Sequence, residues 1–391
     1  ITDMNTLEII FILSFILLFY TYFGYGIGLS FILKFKKKII LPVLEDDDLP
    51  NVTHVIAAYN EEEIIQEKID NCYMLDYPGW KINTIIVADG SSDRTVDIIK
   101  RNPRIKLYYS PERKGKLEAV KRVMREVDSP ITIFSDANSI LNDNAIKMLV
   151  RHFQNNEVGA VAGEKVVMSD SVDDAASAGE GIYWKYESHL KQLDYQLHSV
   201  VGAAGELFAV RTHLFESPSA NILIEDFVIT MKIAEKGYRV AYEPAAKAME
   251  KGSVSIGEEM KRKVRISAGG LQAIWKLKKL LNPFKYGLLS FQYISHRVLR
   301  WTLAPLSILV MFITSLLLAK QGFMVYQVLF VGQIIFYLLA ITGFMLENIK
   351  VKFKAFFVPF YFAFMNLSVY LGLMKLITGQ YDAVWEKAKR K

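Results

Sequence analysis

The chain has 391 residues, 52% of them hydrophobic and 23% charged, with a formal net charge of +6, a balance that points to long apolar blocks joined to an ordinary soluble domain. The single cysteine, Cys72, excludes an internal disulfide framework and fits a reducing compartment. Basic residues cluster beside the apolar blocks, as they do where a protein meets anionic lipid, which argues against nucleic acid as the partner.

Residues 7–33 carry one charge, Glu8, and are long enough to cross a hydrocarbon core. A cleaved signal peptide would place basic residues before a shorter run, whereas Lys34, Lys36, Lys37 and Lys38 follow this one, so the chain is expected to enter the cytosol there. After a linker at 35–50, ending in LPVLEDDDLP, β-branched runs alternate with amphipathic segments. They predict strands at 52–59, 82–89, 105–109 and 131–136, with helices at 61–74, 93–101 and 116–127 between them. That alternation implies a parallel sheet covered by helices, with ligands at the carboxyl ends of the strands.

Residues 256–300 mix Lys261, Arg262, Lys263 and Arg265 with later Trp275, Lys278, Lys279 and Phe284, a pattern of helices lying in the membrane interface. Three further apolar blocks follow at 302–319, 324–346 and 355–378, and the chain ends in a basic tail, 379–391. If all three cross, the tail with Lys387, Lys389, Arg390 and Lys391 lies outside, against the positive-inside rule; either one block is re-entrant, the last with Pro359 and Gly372 being the candidate, or the tail charges are tolerated. The expected units are therefore 1–34, 35–50, 51–255, 256–300, 301–378 and 379–391.

The chemistry-bearing residues follow the strands. Asn60 and Glu61 stand at the first strand-to-helix turn, where a nucleotide base or ribose would meet them, although a helix cap explains Asn60 equally well. Asp89 ends the second strand beside a Gly-Ser-Ser turn, with Asp93 placed to cap the next helix. Gly115 with Lys114 and Lys116 at a helix start suits a pyrophosphate. Asp136 and Asn138, one residue apart at the end of the fourth strand, suit Mg²⁺ or Mn²⁺ shared with a diphosphate; an Asx turn is the structural alternative. The small residues before Glu206, Gly205 among them, would let an acceptor approach the backbone. Glu225 and Asp226 open an amphipathic helix, and Asp226 is the natural general base for an acceptor hydroxyl.

This order, Asn60-Glu61, Asp89-Gly90, Asp136-Ala137-Asn138, Gly205-Glu206, Glu225-Asp226 and Arg262-Lys263-Val264-Arg265, resembles glycosyltransferase family 2 over roughly residues 50–300, in its membrane-bound branch of cellulose, chitin, hyaluronan and poly-N-acetylglucosamine synthases. The resemblance implies a GT-A-like α/β nucleotide-sugar-binding domain, an α-helical transmembrane region and inversion at the anomeric carbon by one direct displacement. It places Asn60, Glu61 and Asp89 at the nucleotide, Lys116 near the donor and Asp136 at the diphosphate or metal. Gly205 and Glu206 fall at the acceptor, Asp226 as base beside Glu225, and Arg265 at the leaving diphosphate. Arg262 stands where the family motif has glutamine, Ile266 where it has tryptophan, and Asn138 where a second aspartate is usual.

The implied partners are a UDP-sugar donor, a glycan or lipid-linked acceptor and the lipid membrane, with no nucleic acid; a homo-oligomer or an export partner is left open. The implied activity is polysaccharide synthesis at a bacterial inner membrane, with the catalytic domain cytosolic. Addition of a single sugar to a lipid-linked acceptor is the alternative, and a nucleotide-sensing transport protein a remote third.

Overall fold

The computed structural model describes residues 6–168, 175–219, 221–253, 255–347 and 354–379. The basic tail and the loop between the last two apolar blocks, on which the topology conflict turned, lie outside the described residues.

Eight strands form one mixed sheet: β1 (Val52–Ala58), β2 (Ile82–Asp89), β3 (Ile105–Ser110), β4 (Ile131–Asp136), β5 (Ile140–Leu141), β6 (Val158–Met168), β7 (Leu207–Arg211) and β8 (Arg239–Lys251), in the order β3-β2-β1-β4-β7-β6-β8-β5. The first four are parallel and in register, Ala57 of β1 lying beside Val87 of β2 on one side and Asp136 of β4 on the other. Their carboxyl ends therefore form a single edge, and the turns that leave it carry Asn60, Asp89 and Asn138. Strand β7 runs antiparallel to β4, with Leu207 opposite Ser135. Its entrance, at Gly205 and Glu206, consequently meets the exit of β4. The core beneath this edge is aliphatic, with Val55, Ile85, Ile133, Val161 and Met231 all almost fully buried, as a sheet covered on both faces requires.

The helices are α1 (Thr6–Leu33, with a π-helical turn at Tyr20–Gly24), α2 (Ile65–Met74), α3 (Thr95–Lys100), α4 (Lys116–Met124), α5 (Ala145–Val150), α6 (Ala175–Leu197), α7 (Glu225–Glu235), α8 (Ile256–Lys276), α9 (Pro283–Tyr293), α10 (Leu303–Lys320), α11 (Met324–Glu347) and α12 (Lys354–Ile377). Helix α2 begins four residues later than the periodicity suggests. Asn60 adopts φ 52° and residues 61–64 turn before the helix starts, so Asn60 does not cap it. Asp93 does act as a local cap, its Oδ1 accepting from the Thr95 amide at 3.0 Å.

Among the described residues four helices, α1, α10, α11 and α12, are long and apolar enough to cross a membrane. Their outward faces carry Leu13, Phe15, Ile16, Val331 and Leu338, all exposed, a surface that suits lipid. The last apolar block is one helix despite Pro359. It lies close against α8 at Gly372, where a Cβ would stand 2.8 Å from the Ala268 backbone nitrogen. One face of α8 thus packs on α12 and carries Arg262, Lys263 and Arg265 inward, whereas Trp275 and, in α9, Phe284 remain exposed.

Candidate active site

Two connected spaces open at the carboxyl edge of the sheet. The smaller is a narrow cleft lined by Tyr59, Glu61, Asp89, Arg113, Asp136 and Asn138. The larger is a cavity of about 500 Å³ that extends from Asp136 to the spanning helices α1 and α12. Gly115, Lys116 and Asp136 line both spaces, which makes them the junction.

Beside the cleft, Asn60 ties its own turn to the one after β2: its Oδ1 accepts from the Ser92 amide at 2.8 Å, and its backbone amide donates to Ser91 Oγ at 3.1 Å. Glu61 is buried, and its backbone nitrogen donates to Thr95 Oγ1 at 2.8 Å. Asp89 is also buried. Its Oδ2 accepts from the amides of Lys114 and Gly115 at 2.8 and 2.7 Å, and its Oδ1 from Arg122 Nη2 at 2.9 Å. The carboxylate therefore fixes the loop before α4. Gly90 is required at this point because it has φ 71° and a Cβ there would lie 2.5 Å from the Arg113 Cβ.

At the junction, Lys116 Nζ donates to Asp136 Oδ1 at 2.6 Å and faces Glu225 Oε1 at 3.2 Å. Burial opposes the ammonium charge, but Asp136, Glu225 and Asp226 together hold its pKa well above the usual lysine value. Gly205 leaves space beside this group; a Cβ there would stand 3.2 Å from Lys116 Nζ and 3.3 Å from Asp226 Oδ2. Asp226 is the carboxylate that gains least from Lys116. Burial and the neighbouring Glu225 push its pKa up to about 7, against the opposing pull of Lys116. Arg265 lines the same cavity. Burial lowers its pKa while Glu225, Asp226 and Asp136 act in the opposite direction.

Glu206 sits differently from its neighbour Gly205. Its carboxylate pairs with Lys165 at 2.5 Å and lies 4.0 Å from Arg262. Burial would raise its pKa, but Lys165 outweighs this and holds Glu206 ionised far below the usual range. Arg262, at the position of the family glutamine, also pairs with Glu259 at 3.0 Å.

The structure thus gathers Lys116, Asp136, Gly205, Glu225, Asp226 and Arg265 into one cavity wall, and sets Glu61, Asp89 and Asn138 around the adjoining cleft, while Asn60 holds the turn beside it without lining it. Several cavity residues escaped sequence reasoning: Trp184, Lys191, Arg297, Arg300 and Trp301. Trp301 packs edge-on against Phe227 at 5.5 Å and over Gly270, one helical turn beyond Ile266. A tryptophan therefore reaches this wall from another segment. No spacing rule links residues so far apart; the concentration of Arg, His and Trp at 296–301 was the available signal.

The fold is a GT-A-like α/β domain attached to membrane-length helices. Residues 53–217 match the family described as Glycosyl transferase family 2. It is 26% identical over 244 residues to the poly-beta-1,6-N-acetyl-D-glucosamine synthase of Staphylococcus aureus (strain COL), a match covering 60% of this chain and 58% of that protein. Against the synthase of the same description from Staphylococcus epidermidis, it is 27% identical over 262 residues, 62% of each chain. The chain thus spans about three fifths of the length of these curated relatives. Among solved structures, the mannosyltransferase PcManGT from Pyrobaculum calidifontis, in complex with GDP-Man and Mn²⁺, superposes with a TM-score of 0.71 at 21% identity, covering 96% of this chain and all of that one. This likeness establishes the fold.

Proposed function

We propose that the protein is a membrane-embedded inverting glycosyltransferase that moves a sugar from a UDP-sugar to an acceptor hydroxyl in the synthesis of an extracellular or capsular polysaccharide. The observation that carries this reading is Asp226, a carboxylate with a pKa near 7 placed beside Lys116, Gly205 and Arg265 in the cavity that meets the strand-end cleft. The homologous poly-N-acetylglucosamine synthases and the GDP-Man complex of the structural neighbour support it.

In this mechanism the nucleotide lies in the cleft among Asn60, Glu61 and Asp89, with its diphosphate at Lys116 and Asp136. The sugar then points into the cavity. Asp226 removes the proton from the acceptor hydroxyl as that oxygen forms its bond to the anomeric carbon, and the bond from that carbon to the diphosphate oxygen breaks on the opposite face. UDP leaves with the bonding electron pair. Lys116 and Arg265 are placed to meet its growing charge, while Glu225 orients Lys116. Glu206, neutralised by Lys165, shapes the acceptor side.

Mg²⁺ or Mn²⁺ fits the junction. Among the described residues no group of three or more His, Cys, Asp or Glu side chains is arranged to hold a metal, so Asp136 and Asn138 would share the ion with diphosphate oxygens, a donor set that hard cations accept. When bound, the ion supplies further charge neutralisation at the leaving group. Lys116, already on Asp136, supplies part of the same service from the chain itself.

The inner membrane, with the sheet domain in the cytosol, is the proposed location, because Lys34, Lys36, Lys37 and Lys38 follow α1. Ile266 at the position of the family tryptophan favours a second reading, transfer of one sugar to a lipid-linked acceptor. A single experiment addresses both: UDP release from the detergent-solubilised protein, offered a panel of UDP-sugars with Mg²⁺ or Mn²⁺, with the products sized. A ladder of long products supports the synthase, one added sugar supports the second reading, and turnover that survives Asp226→Asn overturns the mechanism.

A further inference from the structure

The cavity wall built from α1, α6, α12 and the segment 294–301 contains buried cations that the transfer mechanism does not use. Lys191 is 2% exposed, lines the cavity, and among the described residues has no hydrogen bond or ion pair at its Nζ. Its ammonium rests instead on the rings of Trp184 and Tyr242, at 5.6 and 5.7 Å. Arg300 is 8% exposed and lines the same cavity. Its Nη1 donates to Glu187 Oε2 at 2.9 Å, yet its Nε and Nη2 have no hydrogen-bond partner. Arg297 adds a third cation, paired with Glu187.

Leaving such donors unsatisfied in a buried place is costly, and charged ones cost most. The acids nearby do not remove the need. Glu187 is shared among Arg297, Arg300 and His296, Glu164 is occupied by Ser188 and Tyr242, and Glu206 by Lys165. A ligand with several acceptor oxygens and negative charge would complete the set. The wall beside these cations comes from the spanning helices, where Phe23, Phe357, Val358 and Met365 offer an apolar surface. An anionic head joined to a hydrocarbon chain matches both halves.

We propose that the membrane end of the cavity binds a phosphate-bearing lipid, held at its phosphate by Lys191 and Arg300, and that this lipid is the initiating acceptor whose sugar hydroxyl faces Asp226. The assignment of the lipid as acceptor rests on the transferase reading; the binding site does not. An acceptor of this kind explains why the catalytic cavity is closed by α1 and α12, since the hydrocarbon chain can remain among the spans while the head reaches the sheet edge.

The test is calorimetric titration of the full chain, in dodecyl maltoside micelles without donor, with dodecyl phosphate, inorganic phosphate and dodecanol. Dodecyl phosphate is expected to bind saturably at one site per chain, and at least about tenfold more tightly than either comparator, the scale of one lost charge-assisted hydrogen bond. Lys191→Met and Arg300→Lys are each expected to weaken it by about tenfold or more. Lys191→Met removes a buried charge with no ion pair, so its thermal midpoint should equal or exceed that of the wild type. Arg300→Lys keeps a cation for Glu187 while removing the spare donors. Asp226→Asn should abolish transfer but leave this binding intact, which separates failure of the site from failure of the transferase reading. Equal binding of inorganic phosphate would make it a free-anion site and overturn the proposal. Equal binding of dodecanol, or unchanged affinity in a folded Lys191→Met protein, would overturn it as well.

Discussion

The molecule buries two clusters of charge in one cavity, and they are balanced in opposite ways. At the sheet edge, acids dominate: Asp136, Glu225 and Asp226 surround Lys116, with Arg265 nearby, and burial with the neighbouring Glu225 pushes the Asp226 pKa up to about 7 against the pull of Lys116. At the membrane end, bases dominate: Lys191, Arg297 and Arg300 face Glu187, which is held ionised well below the usual carboxylate range, its burial outweighed by Arg297, His296 and Arg300. A cluster with excess acid is poised to take up a proton, and one with excess unsatisfied base is poised to receive an anion. On the proposed reading, position in the fold, rather than residue type, divides acid–base work from binding.

Breaking the acidic cluster should have the largest effect. Asp226→Asn is expected to lower kcat by at least about 100-fold, the scale of a lost general base, as read by UDP release. The same variant tests the electrostatics. Because the folded-state pKa of Asp226 is raised from 3.8 to about 7, its protonated form is favoured by folding; the corresponding stability is full below 3.8, falls progressively as pH rises above it, and is lost once pH passes 7. Asp226→Asn should therefore raise the thermal midpoint relative to the wild type, and by clearly more at pH 8 than at pH 5.

Removal of the acid at the other end should act on the fold. Glu187→Gln leaves Arg297 and Arg300 without their counter-charge and is expected to destabilise by about 3–5 kcal/mol, measured by denaturant unfolding in detergent. With its pKa depressed, the stability Glu187 contributes is full above the ordinary carboxylate range and falls away as pH drops below it.

Between the clusters, Gly270→Ala would place a Cβ 2.5 Å from the Trp301 ring and should cost about 1–3 kcal/mol by overpacking, with the acceptor KM rising as Trp301 shifts.

A shift in a pH profile, read apart from the loss of rate, sharpens the comparison most. Lys116→Met removes the group that opposes the rise of the Asp226 pKa. The acidic limb of the kcat profile, expected near pH 7 in the wild type, should move to higher pH, and an unmoved limb would exclude Asp226 as its origin.

Much of the sheet-edge cluster was legible because it obeys local rules. Strand β2 ends at Asp89 and β4 at Asp136, as their β-branched runs suggest, and parallel pairing then brings the two ends to one edge whatever else the chain does. Helix α7 starts at Glu225, where acids suit a helix N-terminus. Less legible was the partnership of Lys116 with Asp136 and Glu225, 20 and 109 positions away in the chain. The charge alone suggested a diphosphate, and geometry added a resident pair of carboxylates. Asn60 shows the same limit: its residue type fits a cap, but its left-handed backbone and its bond to Ser92 make it a clamp between two turns.

Nothing in the local pattern announced the membrane-end cluster. Its members come from α6 and from residues 294–301, more than 100 positions apart, and its walls from the first and last spans. By itself the sequence determined the four apolar blocks, the strand-ending carboxylates and the family resemblance, because hydrophobic periodicity and turn chemistry act over a few residues. The tertiary structure alone decided which charges meet, which remain unsatisfied and what pKa Asp226 acquires. Desolvation and Coulomb energies depend on distance and burial in space, and the order of residues along the chain does not contain them.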